Sequence, residues 1–511
     1  MLREGKLLEQ ITKHFDVAIV GCGPTGATLA NLLAECGVRV AVLEREAAIY
    51  HLPRAVHFDG ETMRVFQAAG IAEQLSEKVR VNPGMRFVDQ QRNLLMDWPR
   101  PQEIGPQGWY SSYRLHQPDL EKLLRDKLTS RDTAMILTET EVISVEDQVE
   151  EVTLHCRNPG DGHRTMVKAN FVVGCDGAGS LLREAIGSGM DDLGFDERWL
   201  VVDLLLKRDR PDLGDHTVQF SDPDRPMTYC RSPENRRRWE IAVLEDETDN
   251  EVLQTERIWD FLAPWIGPED ASLERSAVYT FRSAIAQNWR KGRLMIAGDA
   301  AHLTPPFMGQ GMCAGIRDAA NLAWKLALCV NSNARIDLLD SYQAERAPHV
   351  HTFIETAVRL GGLINAMDRD AALSLTEVDG DGKASMDFTP PPLGPSDLVG
   401  FVVGNTLHTG RLFSQPTLSN GQRLDDAVGY APVLVVRHKL PGGVAPSMRV
   451  LDGEAHPALA DALDEIGANA VLLRPDRYIA SSAMTQADIK AIAALTLPTP
   501  FKTITEREPI K

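Results

Sequence analysis

The sequence lacks the features that mark several large classes of protein. No segment approaches 18 uninterrupted apolar residues, so a membrane-spanning helix is not expected. There is no sustained basic tract, and 54 basic against 72 acidic side chains give a net charge of −18. This charge argues against nucleic acid or an anionic membrane surface as a partner. The N-terminus mixes charges of both signs and lacks an apolar core with a cleavage site, so no secretory leader is expected.

The seven cysteines are scattered, and no two of them form a CxxC pair. A zinc knuckle and a dithiol redox motif are therefore excluded, and no metal site is expected. Free cysteines mostly behave as small buried apolar groups. The pattern favours a reduced, cytoplasmic protein.

The composition is that of a globular protein. Of the 511 residues, 43% are hydrophobic and 25% are charged, which excludes disorder as the main state. At roughly 150 residues per domain, this length suggests about three domains.

The first firm pattern is a strand, a helix and a second strand within the first 44 residues. An apolar run over 15–20 ends at the sequence Gly-Cys-Gly-Pro-Thr-Gly, residues 21–26, and residues 38–44 form a second buried run. A GxGxxG turn between a strand and a helix is typical of a dinucleotide site, because the helix N-terminus faces the pyrophosphate. Glu44, at the end of the second strand, can accept hydrogen bonds from ribose hydroxyls. The motif does not distinguish NAD from FAD.

Two further motifs carry a resemblance to a known family. Residues 174–180 read Gly-Cys-Asp-Gly-Ala-Gly-Ser, with Arg183 after them, and residues 292–312 read GRLMIAGDAAHLTPPFMGQGM before a helical pattern. Together with the first motif, they resemble the class A flavoprotein aromatic hydroxylases, the FAD monooxygenases related to p-hydroxybenzoate and phenol hydroxylases. The resemblance spans about residues 15–360. A looser likeness to the 3-(3-hydroxyphenyl)propionate hydroxylases rests on segments such as Pro53-Arg54-Ala55.

The resemblance implies an α/β protein with a Rossmann-like FAD-binding domain interleaved with an antiparallel β-sheet substrate domain. The FAD-binding domain is expected over 1–190 and 285–365, with substrate-domain segments near 80–115, and the β-sheet substrate domain over 191–284. A polar, Pro-rich linker is predicted at 366–398. The remainder, 399–511, is expected to be a thioredoxin-like domain without CxxC.

The implied activity is hydroxylation of a phenolic ring through a flavin C4a-hydroperoxide, with NADH or NADPH and O₂ as co-substrates. Because the chain has only one complete GxGxxG, the nicotinamide is expected to bind transiently. The substrate is expected to be 3-(3-hydroxyphenyl)propionate or a similar phenolic acid, and the protein could form a homodimer. Two alternatives stay open: a tailoring hydroxylase or epoxidase of a polycyclic natural product, and a flavin-binding sensor or scaffold without turnover.

The motifs and the resemblance together predict a set of FAD contacts. These are Gly21, Gly23, Pro24, Thr25, Gly26, Glu44, Arg45, Arg54, Gln117, Asp176, Gly298, Asp299, Gly309, Gly311, Met312 and Cys313. Asp299 could instead cap a helix, Arg54 could be a surface arginine, and Asp176 could close a turn. Cys313 stands where many relatives carry Asn, and an inert packed thiol is favoured over a reactive one.

A phenol hydroxylase also needs a proton acceptor and an aromatic pocket. His57 and Asp59 follow Arg54 and are the predicted catalytic residues, although Asp59 could equally cap a helix over 60–69. The predicted substrate contacts are Pro305, Pro306, Phe307 and Tyr229. A substrate carboxylate would need an arginine, and the sequence does not choose among Arg231, Arg237 and Arg282.

Overall fold

The computed structural model describes residues 13–50, 54–332, 334–366, 377–378, 384–385, 389–395, 407–440 and 448–495. Its strands are β1 (Lys13–Val20), β2 (Val40–Leu43), β3 (His57–Asp59), β4 (Arg80–Val81), β5 (Gly84–Val88), β6 (Leu94–Pro99), β7 (Ser112–Arg114), β8 (Ala134–Leu137), β9 (Glu141–Asp147), β10 (Val152–Arg157), β11 (Arg164–Gly174), β12 (Met190–Leu206), β13 (Thr217–Phe220), β14 (Met227–Arg231), β15 (Arg236–Ala242), β16 (Ala271–Ala286), β17 (Arg290–Lys291), β18 (Leu294–Ile296), β19 (His302–Leu303), β20 (Glu377–Val378), β21 (Ala384–Ser385), β22 (Val433–Val436), β23 (Arg449–Asp452), β24 (Ala470–Leu473) and β25 (Ile479–Ala483). Its helices are α1 (Pro24–Glu35), α2 (Gly60–Ala69), α3 (Ala72–Ser76), α4 (Gln117–Thr129), α5 (Leu181–Ile186), α6 (Asp249–Val252), α7 (Thr255–Leu262), α8 (Gly311–Asn331), α9 (Asp340–Ala366), α10 (Leu424–Val428), α11 (Pro457–Glu465) and α12 (Gln486–Ala493). Within these ranges, no helix combines the length and the apolar character needed to cross a membrane.

A parallel sheet forms the centre of the N-terminal part. Its strands run in the order β18, β11, β1, β2 and β8, with β17 and the antiparallel β9 and β10 added at the side of β18 and β11. Val17 pairs with Phe171 on one side and with Val40 on the other. Continuous apolar strands of this kind suit a parallel sheet that is covered on both faces. The carboxyl ends of β1, β11 and β18 therefore bring the three glycine-rich motifs to one edge.

A large antiparallel sheet stands beside the parallel sheet, in the order β19, β16, β12, β15, β14, β13, β5 and β6. The expectation of an antiparallel sheet holds except at one place, where β13 pairs with β5 in parallel. Successive residues of β15 point to opposite faces. Trp239 lies in an apolar core with Ile258 of α7, whereas Arg238 donates to the backbone carbonyl of Arg54 at 2.8 Å. The polar face is therefore the one that meets the N-terminal part.

A small sheet of β3, β7 and β4 lies between these two sheets. His57 pairs with Arg114, and Asp59 pairs with Ser112. Phe58 and Tyr113 point to the other face, where their rings stack with centroids 5.0 Å apart. Because Phe58 and Tyr113 anchor this sheet in the core, the polar residues of both strands share the opposite face.

The C-terminal part, described over 407–440 and 448–495, has a sheet of its own in the order β23, β22, β24 and β25. Its separate apolar core includes Phe413, Val433 and Leu459. Arg64 of α2 reaches Asp425 of this part with a bond of 2.6 Å. The predicted linker over 366–398 lies mostly outside the described residues.

Candidate active site

Three motifs that are far apart in the sequence meet at the edge of the parallel sheet. A Cβ atom at Gly26 would lie 2.1 Å from the carbonyl oxygen of Gly21, so helix α1 packs against its own turn only with glycine there. Thr25 lies against the other two segments: a Cβ atom at Gly315 would lie 2.2 Å from Thr25 Oγ1, and one at Gly298 would lie 2.8 Å from it. The turn after β1, the turn after β18 and helix α8 therefore form one site.

The turn at Gly23 fits the pyrophosphate of a dinucleotide. Apart from Gly23 itself and its two chain neighbours, no atom of the described residues lies within 4 Å of a Cβ position built at Gly23, in contrast to Gly26. Gly23 precedes α1, Pro24 is the first residue of this helix, and no side chain caps its N-terminus. The open space and the uncapped N–H groups leave the helix end available for phosphate oxygens.

Glu44 closes this turn from the end of β2. Its Oε2 accepts a hydrogen bond from the Cys22 backbone N–H at 2.8 Å, and its Oε1 accepts one from that of Glu46 at 3.0 Å. Each carboxylate oxygen has capacity for another donor, so a ribose hydroxyl is compatible with this position. Arg45 is exposed and lies 3.3 Å from Glu46.

Asp299 lies in the turn after β18, between Gly298 and Ala300. Its side chain is exposed in a cleft at the edge of the parallel sheet. The protein around this cleft reduces the hydration of the carboxylate and thereby raises the pKa of Asp299. Within the described residues, this side chain makes no hydrogen bond and caps no helix. An acceptor on the floor of a cleft is what the ribityl hydroxyls of a flavin require.

The loop 309–311 leads into α8, whose N-terminus has no side-chain cap. Cys313 is fully buried, and burial raises the pKa of its thiol to about 12. Its Sγ lies 3.8 Å from the carbonyl oxygen of Gly309, and Met312 is partly buried against the core. Among the described residues, backbone N–H groups of this first turn, including that at Gly311, are therefore free to meet an external group. The inert interpretation of Cys313 fits this arrangement.

Gln117 has structural partners within the protein that the sequence did not indicate. The Oε1 of Gln117 accepts hydrogen bonds from the backbone N–H groups of Arg54 and Ala55, at 3.1 and 2.7 Å. Its amide nitrogen donates to Glu121 at 2.7 Å. Gln117 therefore holds the loop that carries Arg54, whose exposed guanidinium lies 5.6 Å from the Tyr50 ring centroid.

Asp176 closes the turn between β11 and α5. Its Oδ2 accepts from the backbone N–H of Leu182 at 3.2 Å, its Oδ1 has no partner among the described residues, and burial raises its pKa. The turn-closing alternative accounts for the first contact. The unpartnered buried oxygen leaves room for a second role beside the cofactor turn.

His57 is held by hydrogen bonds at both ring nitrogens. Asn82 Nδ2 donates to Ser112 Oγ at 2.9 Å, so the Ser112 hydroxyl hydrogen is available for His57 Nε2 at 2.8 Å. His57 Nδ1 can then donate to the carbonyl oxygen of Gly309 at 3.3 Å. Burial, with Arg114 nearby, lowers the pKa of His57 to about 3. A neutral ring with both nitrogens engaged is a poor proton acceptor, which argues against His57 as the base.

Asp59 is an N-terminal helix cap, as the alternative interpretation allowed. Its Oδ1 accepts from the backbone N–H of Thr62 at 2.9 Å, and helix α2 covers the expected residues 60–69. Arg317 Nη2 donates to Oδ2 at 2.6 Å. This arginine and the Thr62 hydrogen bond outweigh burial and lower the pKa of Asp59 to about 2. A carboxylate that stays ionised and already accepts hydrogen bonds from Thr62 and Arg317 is also a poor acceptor for a phenol proton.

Aromatic side chains line the space between the loop before α8 and the large antiparallel sheet. The ring centroid of Phe307 lies 5.3 Å from that of Phe195 and 6.0 Å from that of Trp199. The same apolar cluster includes Phe87 and Trp98. Pro305 and Pro306 precede Phe307 in the same loop, buried and half-buried respectively. This cluster, called the aromatic wall below, has the apolar chemistry that suits an aromatic ring.

Tyr229 lies elsewhere, which corrects the predicted substrate contact. Its ring packs 4.9 Å from that of Trp239 in the core on the far face of the large antiparallel sheet, and its hydroxyl donates to the carbonyl oxygen of Gly214. The alternation of strand residues places Cys230, next in sequence, on the face that points toward Arg114. The sequence pattern could not show which face of this strand points toward the edge of the parallel sheet where the glycine-rich motifs meet, called the cofactor edge below.

Two arginines that the sequence analysis missed lie at the polar end of the aromatic wall. Arg114 is 7% exposed and is the cross-strand neighbour of His57. Its Nε has no hydrogen-bond partner among the described residues, and Glu240 is near enough for an electrostatic interaction but forms no ion pair with it. Arg100 also has no ion-pair partner among the described residues; its guanidinium lies 4.1 Å from the Trp98 ring centroid, and burial lowers its pKa to about 10. Arg100 is half-buried, whereas Arg114 is buried. A buried cation without an ion-pair partner is costly, so an anionic group is the natural complement of Arg114.

The three arginines proposed from the sequence are engaged in other contacts. Arg231 pairs with Asp215, Arg282 is exposed and lies 3.0 Å from Asp196, and Arg237 donates to the backbone carbonyl of Arg236 at 2.7 Å. The sequence did contain a signal for Arg114. In the order Ser-Tyr-Arg at 112–114, the central tyrosine points into the core, so the serine and the arginine share the polar face of β7.

Known proteins resemble this chain in sequence and in fold. The family described as FAD binding domain matches residues 14–357. A probable NADH-specific resorcinol 4-hydroxylase of Rhodococcus jostii is 43% identical, over 71% of this chain and 67% of that protein. A 3-(3-hydroxy-phenyl)propionate/3-hydroxycinnamic acid hydroxylase of Burkholderia cenocepacia is 33% identical, over 94% of this chain and 95% of that protein.

Solved structures share the mixed α/β fold. The flavin-dependent monooxygenase PieE, in complex with FAD and substrate, superposes with a TM-score of 0.77 at 21% identity, over 94% of this chain and 98% of that one. Aklavinone-11 hydroxylase with FAD and aklavinone gives a TM-score of 0.75 at 21% identity, with the same coverage. The match to the FAD-binding family and the similarity to hydroxylases along most of the sequence agree with the cofactor cleft, and the chain belongs to the family of FAD-dependent aromatic hydroxylases.

Proposed function

We propose that this enzyme hydroxylates a small phenol that carries an anionic oxygen, with NADH as the reductant. The observation that carries this proposal is the position of Arg114, a buried cation without a carboxylate partner among the described residues, at the end of an aromatic wall beside the cofactor edge. FAD, when bound, supplies the redox chemistry with O₂. The preference for NADH rests on the similarity to the Rhodococcus relative, which is described as NADH-specific.

The expected FAD contacts divide by the part of the cofactor that they suit. The turn 21–26 and Glu44 suit the pyrophosphate and a ribose, Asp299 suits the ribityl chain, and the N-terminus of α8 suits the flavin ring. Arg54 is exposed beside Asp299 and reaches the same cleft.

The residues of the substrate end act through charge and position. Arg114 and Arg100 stabilise an anionic oxygen, and the aromatic wall removes water from the ring. His57 fixes the carbonyl of Gly309 and thereby the loop that passes the ring. A phenolate is more electron-rich than a phenol, so a cation that favours the ionised form prepares the ring for hydroxylation.

An anionic oxygen could come from a carboxylate or from a phenolate. A phenolic acid such as 3-(3-hydroxyphenyl)propionate offers a carboxylate, as the name of the Burkholderia relative suggests. Resorcinol offers only a phenolate, and the 43% identity to the Rhodococcus relative favours it as the second candidate. The proposal of an anionic oxygen is common to both.

The C-terminal part is proposed to be a thioredoxin-like domain that begins near residue 399. Its first two strands, β22 and β23, are parallel, whereas β24 and β25 are added in antiparallel order on the other side of β22. A final helix, α12, follows β25. This order and these directions support the thioredoxin-like fold, and the absence of CxxC from the sequence excludes dithiol chemistry.

The test is the oxidation of NADH and of NADPH in air, with resorcinol and 3-(3-hydroxyphenyl)propionate in turn, and with mass analysis of the products. The variant Arg114→Gln should raise the KM for the preferred phenol by about 10- to 100-fold, the range of a lost charge-assisted hydrogen bond. A larger loss with the phenolic acid identifies the carboxylate as the partner. A larger loss with resorcinol, with its pH profile displaced upward, identifies the phenolate. The exposed Arg282→Gln serves as the control and should leave KM unchanged.

Other results would overturn the proposal. A yellow protein whose NADH oxidation no small phenol stimulates would favour a larger polycyclic substrate. Bound FAD that neither coenzyme reduces with any ligand would favour a sensor or scaffold.

A further inference from the structure

A continuous chain of buried hydrogen bonds links the C-terminal part to the loop before α8. The hydroxyl of Tyr478 donates to Glu61 Oε1 at 2.6 Å, and Arg317 Nε donates to Glu61 Oε2 at 2.7 Å. The same guanidinium donates to Asp59 at 2.6 Å and to the side-chain oxygen of Gln310 at 3.0 Å. Tyr478, Glu61, Arg317 and Gln310 are all at most 8% exposed.

The chain ends at the part of the site that is expected to face the flavin. Gln310 lies between Gly309, whose carbonyl His57 contacts, and Gly311, the first residue of α8. Asp59 caps α2 directly after the strand that carries His57. One guanidinium therefore fixes both sides of the contact between His57 and Gly309.

The charge balance makes the tyrosine hydroxyl important. Arg317 faces two carboxylates, Asp59 and Glu61, so a single cation serves two anions. The hydroxyl of Tyr478 supplies the additional donor to Glu61. Buried carboxylate oxygens without a donor are costly, so removal of this hydroxyl should draw Glu61 and then Arg317 into new positions.

We propose that the C-terminal part of this enzyme is a positioning element for the active site, acting from Tyr478 through Glu61 and Arg317 on the loop 309–311. Tyr478 is a positioning residue, since it acts only through other side chains. The shape of this loop decides how the N-terminus of α8 meets the flavin ring, and hence the visible spectrum and the affinity of the bound cofactor. The inference about product yield rests on the proposed function; those about FAD do not.

The experiment compares Tyr478→Phe with Tyr430→Phe. Tyr430 is a matched control because it is also a buried tyrosine of the C-terminal part, and its hydroxyl donates across the interface to the carbonyl oxygen of Ala320 at 2.5 Å in the middle of α8. Both variants lose one buried hydrogen bond between the two parts. Only Tyr478→Phe interrupts the path to Gln310.

Tyr478→Phe should weaken FAD binding by about 3- to 30-fold, in titrations of the FAD-free protein, and should shift the visible spectrum of the bound flavin. In turnover, a larger share of the NADH should reduce O₂ to H₂O₂, with NADH, H⁺ and O₂ giving NAD⁺ and H₂O₂, at the expense of hydroxylated product. Tyr430→Phe should lower the melting temperature by a similar amount and leave the affinity for FAD, the spectrum and the product yield unchanged.

A second variant tests the path itself. Glu61→Gln keeps an acceptor for Tyr478 but removes the ion pair with Arg317. It should reproduce the effects of Tyr478→Phe on FAD, and the double variant should show much less than the sum of the two losses. Equal FAD effects in Tyr478→Phe and Tyr430→Phe, or none in Tyr478→Phe, would overturn the inference. If no phenol is hydroxylated, the FAD affinity and the spectrum still decide it.

Discussion

His57 Nδ1 lies 3.3 Å from the carbonyl oxygen of Gly309, so the residue predicted to be the catalytic base contacts the loop that leads into α8. The contact joins strand β3 to the segment before α8, which lie 252 positions apart in the chain. The ring is neutral because burial and the arginine beside it oppose a positive charge, and together they outweigh the Gly309 carbonyl, which raises the pKa of His57. Four further consequences of the structure can be measured.

The His57 ring should make the stability of the protein depend on pH. Its pKa is about 3 in the folded protein, against an ordinary value near 6.5. Between these values the unfolded chain binds the additional proton, so lowering the pH destabilises the fold. The variant His57→Asn removes the contribution of this ring to the pH dependence of the free energy of unfolding. The stability difference between the native protein and the variant, measured by urea unfolding, should therefore shrink by about 2 kcal/mol from pH 7 to pH 5.

The control for this measurement is His163→Asn, at an exposed position, which should leave the pH dependence as it is. A His57→Asn variant with the same pH dependence as the native protein would show that the pKa of this ring is not lowered by folding.

Alanine at Gly23 should separate cofactor binding from folding. Apart from Gly23 and its two chain neighbours, a Cβ atom there meets no described atom within 4 Å, so Gly23→Ala should leave the melting temperature of the FAD-free protein unchanged. It should lower the affinity for FAD by about tenfold or more, because the methyl group occupies the approach of the pyrophosphate. Fluorescence titration with FAD measures this loss.

Two other glycine-to-alanine variants serve as controls for Gly23→Ala. Gly26→Ala should destabilise even the FAD-free protein, by about 1–3 kcal/mol, because its Cβ atom would lie 2.1 Å from the Gly21 carbonyl oxygen. Gly179→Ala, whose Cβ also has open space, should bind FAD normally. Normal FAD affinity in Gly23→Ala would place the pyrophosphate elsewhere.

The thiol of Cys313 should be unreactive in the folded protein. With a pKa of about 12, only about one thiol in ten thousand is ionised at pH 8, and the side chain is fully buried. Iodoacetamide should therefore alkylate Cys313 only after urea unfolding, as followed by peptide mass analysis. Alkylation in the native state at the rate of the unfolded chain would instead support the reactive-thiol interpretation.

Loss of the Asp425 carboxylate should release the C-terminal part. This buried group accepts from Arg64 at 2.6 Å and from Arg477 at 2.8 Å, so Asp425→Ala leaves two buried cations without their partner. The expected cost is about 3–5 kcal/mol. Limited proteolysis should then cut between the two parts.

Its neighbour provides the control. Asp426 is largely exposed and contacts Gln67 and Arg423 at the surface, so Asp426→Ala should cost about 0–1 kcal/mol and leave the proteolysis pattern unchanged. Equal resistance to proteolysis in both variants would show that the C-terminal part stays in place without the ion pairs of Asp425.

Local patterns predicted the elements that carry the cofactor edge. The two apolar runs near the N-terminus became β1 and β2, and the helix considered over 60–69 appears as α2 with Asp59 as its cap. These succeed because a buried parallel strand and a helix start depend on a few neighbouring residues. The surroundings of His57 could not be predicted for the opposite reason, since its partners Ser112 and Gly309 are remote in the chain.

The sequence alone determined the family, the cofactor and the kind of reaction, because glycine turns, helix starts and buried strands are written in short, contiguous segments. Only the tertiary structure decided which face of each strand meets the site. As a result, Tyr229 lies in an apolar core, the three arginines considered from the sequence make other contacts, and Arg114 is buried beside His57. The physical reason is that burial, pKa and ion pairing depend on neighbours from distant segments, which packing brings together and local sequence does not record.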